Sequence, residues 1–139
     1  MSSTTSATNT GAREQVPLAA GPQPVEDWLG ATVESQTRGE AILVAKAERR
    51  HLNAAGFVHG GVLFAIADCA LARAAILPQA GATTWAHISF ISPARLGEEL
   101  VAVARATTEW GANALVDVTV RVGESVVAEF RGQARQLTQ

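Results

Sequence analysis

The run from Val62 to Leu77 is apolar at every position except Asp68 and Arg73, and this segment limits what the chain can become. It is rich in Ala and Leu, strong helix formers, and falls short of the ~20 residues needed to cross a bilayer. A helix that is apolar on all sides has no solvent face of its own. The rest of the chain must therefore cover it on most sides.

The covering material lies downstream. Thr83–Ile91, Leu100–Thr108, Leu115–Val122 and Val126–Gln136 each read as strands, separated by the segment 93–98, Gly111 and Gly123. Links this short imply antiparallel neighbours. In the third strand Val116, Val118 and Val120 share one face while Asp117, Thr119 and Arg121 share the other, the pattern of a sheet covered on one side. Upstream, Glu40–Glu48 alternates as a strand, with Ile42 and Val44 on one face and Leu43, Ala45 and Ala47 on the other, after a turn at Gly39. Val25–Leu29 is expected to dock as a helical turn ahead of Gly30. The fold class is α+β: strand, long helix, then four strands, with a curved antiparallel sheet wrapped round the central helix. Its strand edges and the outer helix surface invite pairing with a second copy.

A chain of 139 residues supports one domain with a real core, placed at 23–139. Residues 1–22, rich in Ser, Thr and Ala, read as a disordered tail and carry no secretory signal. The formal charge is −2 and the only basic pair is Arg49-Arg50, so neither nucleic acid nor a membrane surface is an expected partner. A single cysteine, Cys69, allows no intrachain disulfide and suits a reducing, cytoplasmic setting. His51, His59 and His87 lack the spacing of zinc ligands, so no metal and no other cofactor is expected.

Chemistry concentrates between His51 and Ala70, HLNAAGFVHGGVLFAIADCA. Asp68 sits mid-helix, where aspartate is a poor helix former and an unpaired carboxylate is costly. Such an acid either has a capping or ion-pair role, with Arg73 or a residue on a strand, or it activates water or attacks a carbonyl; the chemical role is the stronger reading. Three glycines make Asn53–Gly61 a tightly bent loop. Gly60 and Gly61 open the helix, where free N–H groups and the positive dipole end can hold a polarised carbonyl oxygen, or where glycine merely allows close packing. The lysine and Ser/Thr of a phosphate-binding P-loop are absent. Asn53 is a candidate to orient water or substrate, although asparagine in a loop commonly bonds its own backbone. His59 is expected to brace the loop through backbone groups, and His51 to lie on the surface at a strand end. Cys69 is assigned to core packing.

Helix geometry limits the site further. Gly60 and Asp68 are eight residues apart, roughly 12 Å along one axis, too far to act on the same carbon. If both act, each comes from a different copy, giving two equivalent sites at a two-fold interface.

The pattern N-x-x-G-x-x-H-G-G followed by F-x-x-A-D-x-A resembles the hot-dog-fold acyl-CoA thioesterases of the PaaI-like family. The likeness extends to Trp28-Leu29-Gly30, Ser89-Phe90-Ile91-Ser92-Pro93 and Ala128-Glu129-Phe130-Arg131-Gly132, covering about residues 25–137. It implies that Gly60 polarises the thioester carbonyl, that Asn53 assists water or substrate, and that Asp68 is nucleophile or general base across a dimer interface. His59 and Gly61 then belong to the substrate-binding loop. The resemblance also implies dimers that pair into homotetramers, and aryl substrates such as phenylacetyl- or hydroxyphenylacetyl-CoA, or short and medium acyl-CoA. Phe64, Trp85 and Trp110 are assigned to core packing, in preference to lining an aromatic acyl pocket. Two rivals stand beside it: a hydratase or dehydratase on the same fold, which needs a histidine paired with an acid, and a non-catalytic acyl-CoA binding module.

Overall fold

A computed structural model of the protein describes residues 23–75 and 81–137. The expected tail at 1–22 and the last expected helical residues, 76–77, lie outside the described residues. The elements run α1 (Pro24–Leu29), β1 (Thr32–Thr37), β2 (Glu40–Lys46), a 3-10 turn (Arg49–His51), α2 (Gly60–Ala75), β3 (Gly81–Phe90), β4 (Glu99–Trp110), β5 (Asn113–Val122) and β6 (Ser125–Gln136). The six strands form one antiparallel sheet in the order β1-β2-β4-β5-β6-β3, and α2 packs across its inner face, chiefly on β4, β5 and β2.

Alternation decides which face is inner. Ala41, Leu43 and Ala45 of β2, Leu100, Ala102 and Ala104 of β4, Val116, Val118 and Val120 of β5, and Ala128, Phe130 and Ala134 of β6 are all buried. Opposite them, α2 buries Val62, Leu63, Ile66, Ala67, Ala70, Leu71 and Ala74. The number of alanines on both sides lets helix and sheet approach closely. Gly132 carries this furthest: a Cβ there would lie 2.7 Å from Leu71 Cδ1, closer than carbon atoms tolerate. A side chain at that position would force the buried Leu71 out of its packing against the sheet.

The polar strand β1 (TVESQT) is absent from the sequence-based assignment. It has almost no apolar alternation and exists because its backbone pairs with β2, as an edge strand with an irregularity between Val33 and Ser35. Strand β2 ends at Lys46, two residues short of the expected Glu48, because the chain turns into the 3-10 segment. His51 is the clearest correction. It is 1 % exposed, not on the surface: its Nδ1 accepts the Glu48 N–H at 3.0 Å, which puts the ring proton on Nε2, 3.4 Å from the Trp28 carbonyl. The ring also meets Trp28 edge-on at 5.1 Å, joining α1 to the turn. The aromatic assignments to the core also need revision, since Phe64, Trp85 and Trp110 are each at least a third exposed. No helix among the described residues is long and apolar enough to cross a membrane.

Candidate active site

The loop before α2 is built by its own polar atoms. Asn53 Oδ1 accepts the N–H groups of Ala55 and Phe57 at 2.9 and 3.1 Å, and Gly56 supplies the positive φ the bend requires. Because two backbone donors must face the oxygen, the side-chain orientation of Asn53 is determined, and its free amide function is a donor, not an acceptor. The backbone role expected of Asn53 and a role toward a ligand are therefore compatible.

At the helix start, the four N–H groups that lack intrahelical partners can be followed one by one. The His59 N–H reaches His51 O, the Gly61 N–H reaches His59 Nδ1 at 2.8 Å, and the Val62 N–H turns back on His59 O. Gly60 N–H is left without a partner among the described residues. His59 thus braces the loop, and it does so by occupying the Gly61 donor, so the terminus presents one N–H outward instead of two. An open groove of about 400 Å³ lies against this donor, lined by Asn53, Phe57, Val58, Gly60, Leu63 and the segment 90–93. Space is also tight at Gly60: a Cβ there would stand 3.0 Å from Phe90 Cζ, so a larger residue would crowd the Phe90 ring. Phe57, Phe90 and Ile91 were not singled out as site residues by sequence, since an aromatic or aliphatic residue at a strand end carries no signal of which groove it lines.

Asp68 lies elsewhere on α2. The helix is covered by the sheet except along one stripe, where Gly61, Phe64 and Ala72 are exposed and Ala65, Asp68 and Cys69 half-buried. The expectation that the helix is covered on most sides holds, and the acid sits on the side that is not. Asp68 Oδ1 accepts a 2.6 Å hydrogen bond from Thr83 Oγ1 on the edge strand β3. It has no ion pair among the described residues, because Arg73 is committed to Glu26 through two bonds of 2.9 and 2.7 Å. Of the structural explanations for Asp68, the ion pair with Arg73 is excluded, and the residue it meets on a strand is the neutral Thr83, through a hydrogen bond and not an ion pair. Thr83 itself was not identified from sequence.

The surroundings of Cys69 disfavour the thiolate that a nucleophile needs. Burial first, then the nearby carboxylates of Glu26 and Asp68, push its thiol up to about 12, with Arg73 opposing weakly. The groove and Asp68 thus occupy different parts of one helix in one chain, as its length requires, and a single copy does not bring them together.

The sequence profile of the thioesterase superfamily matches residues 55–129, which contain the helix, Asp68 and most of the sheet. Human acyl-coenzyme A thioesterase 13 is 30% identical over 105 residues, covering 72% of this chain and 75% of the relative. The acyl-coenzyme A thioesterase PaaI of Escherichia coli is 30% identical over 111 residues, covering 78% and 79%. A solved structure of the E. coli PaaI protein from the phenylacetic acid degradation operon superposes with a TM-score of 0.79 at 27% identity, over 84% of this chain and 86% of that one. The TT0310 protein of Thermus thermophilus gives 0.80 at 28% identity, over 84% and 100%. With the six-stranded sheet round one long helix, the open helix terminus and the acid on the uncovered stripe, these likenesses lead to one assignment: the chain belongs to the thioesterase superfamily, as a PaaI-like thioester hydrolase of hot-dog fold.

Proposed function

We propose that the protein hydrolyses acyl-CoA thioesters at sites shared between two copies, with Gly60 and Asn53 supplied by one copy and Asp68 by the other. The observation that carries this reading is the Gly60 N–H, unpartnered among the described residues, at a largely apolar groove that Gly60 lines. A helix-terminal donor in that position stabilises the oxygen of a thioester carbonyl as it gains negative charge. Asp68 then either takes a proton from the attacking water or attacks the carbonyl carbon itself, forming an anhydride that water opens. In both routes the C–S bond breaks and the thiol of coenzyme A leaves. The donor amide of Asn53 suits a role toward the carbonyl or the water. No cofactor enters the reaction, since coenzyme A arrives as part of the substrate.

Two features support the second copy. Strand β3 is a free edge of ten residues that carries Thr83, the hydrogen-bond partner of Asp68. Around it, Phe64, Phe90 and Ile91 are 36 %, 56 % and 56 % exposed, which is apolar surface a lone domain would gain by covering. Pairing there also supplies the separation that one helix cannot close. We extend the assembly to a homotetramer on family likeness, and the acyl class to phenylacetyl-type or short and medium chains, for which the apolar lining of Phe57, Leu63, Phe90 and Ile91 is suited.

The hydratase alternative loses its base, because His51 is buried on backbone groups and His59 Nδ1 is engaged with Gly61. Thiol release from phenylacetyl-, hydroxyphenylacetyl-, benzoyl- and straight-chain acyl-CoA, measured on wild type and on Asp68→Asn, tests the proposal. Turnover by wild type and its loss in a folded variant sustain the reading. Equal turnover by both makes Asp68 structural, and tight acyl-CoA binding with no turnover by either leaves a binding module.

A further inference from the structure

The groove is lined entirely by uncharged residues, yet a coenzyme A thioester carries a diphosphate and a 3′-phosphate that must lie somewhere outside it. The chain as a whole, at −2, repels such a ligand weakly. One cation is built onto the rim. Arg95 stands two residues beyond Pro93, which lines the groove, and its guanidinium carbon lies 5.3 Å from the centroid of the Phe57 ring, which lines it too. The backbone holds this arrangement: Phe57 and Arg95 form an isolated antiparallel bridge, and the Arg95 N–H donates to Glu98 Oε1 at 2.7 Å.

The other paired arginines spend their charge inside the fold or against carboxylates, with Arg73 on Glu26, Arg50 on Glu48, Arg105 on Glu40 and Arg131 on Asp117. Arg95 has no ion pair among the described residues, Glu98 meeting its backbone and not its guanidinium. A guanidinium held over an aromatic face at this distance is attracted by the ring and still has its fork of N–H donors available to a ligand. Phosphate oxygens are the partners that fork matches best.

We propose that Arg95, seated on Phe57, binds a phosphate of the substrate's carrier arm and so makes the enzyme selective for thioesters of phosphorylated carriers. This rests on the thioesterase reading above. The shared chemistry is a phosphate ester, which coenzyme A offers as a diphosphate and as a 3′-phosphate.

The test compares kcat/KM for one acyl group, the one wild type hydrolyses best, carried on coenzyme A, on dephospho-coenzyme A and on unphosphorylated pantetheine. Wild type is expected to prefer the coenzyme A thioester over the pantetheine thioester. Arg95→Met, whose stem still covers Phe57, is expected to lower that preference about tenfold through KM, the worth of one charge-assisted hydrogen bond, and Arg95→Lys to restore part of it. A dephospho-coenzyme A thioester that behaves like the full one assigns the contact to the diphosphate; one that behaves like pantetheine assigns it to the 3′-phosphate. A preference that survives in Arg95→Met, or that wild type lacks, overturns the proposal while leaving the hydrolase reading intact. Failure of wild type to cleave any of the three thioesters overturns both.

Discussion

Asp68 and Arg73 break the same apolar helix five residues apart, and the fold treats them in opposite ways. Arg73 is 9 % exposed, clamped by both oxygens of Glu26 from α1, with its Nη1 3.4 Å from Gln36 Oε1, while Gln36 Nε2 reaches the Arg73 carbonyl at 3.2 Å. The clamp ties α1, α2 and β1 together, and it raises the guanidinium further above its already high range, chiefly through the Glu26 hydrogen bonds. Asp68 is half-buried on the uncovered stripe and receives one hydroxyl. A charge in an apolar helix is thus either neutralised within the fold or left accessible at its boundary. The first kind holds elements together, and the second kind is available to a substrate.

The comparison breaks first at Asp68. Asp68→Asn keeps shape and hydrogen-bonding capacity but removes the charge, so thiol release should fall by two to four orders of magnitude, roughly the contribution of a positioned base. The melting midpoint should stay close to wild type. Arg73→Met should do the reverse, leaving Glu26 unpaired and costing about 3 kcal/mol in urea unfolding, while molecules that remain folded keep their kcat. Adding Glu26→Leu to that variant should recover much of the loss. If Arg73→Met instead abolishes turnover with stability intact, the two charges are not separable.

Thr83→Val sharpens the contrast at smaller scale. It deletes the hydroxyl that holds Asp68 Oδ1, and kcat should drop roughly tenfold, the range for a hydrogen bond to a charged group. The smallest effect is expected at Asp117–Arg131, an exposed pair on the outer sheet face bonded at 2.6 and 2.9 Å. The Arg131 hydrogen bonds hold the Asp117 carboxyl below its ordinary range, so the pair's contribution is complete above the unfolded-state value of about 3.9 and is lost as pH falls through the folded one. Solvent screens it. Thermal melts of Asp117→Asn should differ slightly from wild type at pH 7 in low salt, and the difference should shrink as pH falls through the acid range and in high salt.

How much of this was legible beforehand varied with the kind of residue. The helix and five of the six strands announce themselves in the sequence, and Val116, Val118 and Val120 are as buried as their alternation demands. Strand β1 has no such pattern, since Gln36, the one fully covered residue of that strand, is polar and is buried by Arg73, a partner 37 residues away. His51 leaves the surface position expected of it for a similar reason: the histidine is enclosed by backbone groups and by the ring of Trp28, itself 48 % exposed. At the site, the Gly60, Asn53 and Asp68 positions stand out as glycine, amide and acid in unusual settings. Thr83, Phe57 and Arg95 are ordinary residues in ordinary segments, and only their neighbours distinguish them.

By itself the sequence determined that a helix apolar all round would be covered on most sides by an antiparallel sheet, and that Gly60 and Asp68 on one helix could not serve one carbon. Both follow from local periodicity and the rise per residue, which need no knowledge of what lies across the chain. Only the tertiary structure decided which charge is buried and which is open, which of the terminal N–H groups remains free, and which arginine stands at the groove. Those outcomes depend on pairings between residues far apart in sequence, Arg73 with Glu26, Asp68 with Thr83 and Phe57 with Arg95, and burial and partnership of a polar group are properties of such pairings rather than of the residue alone.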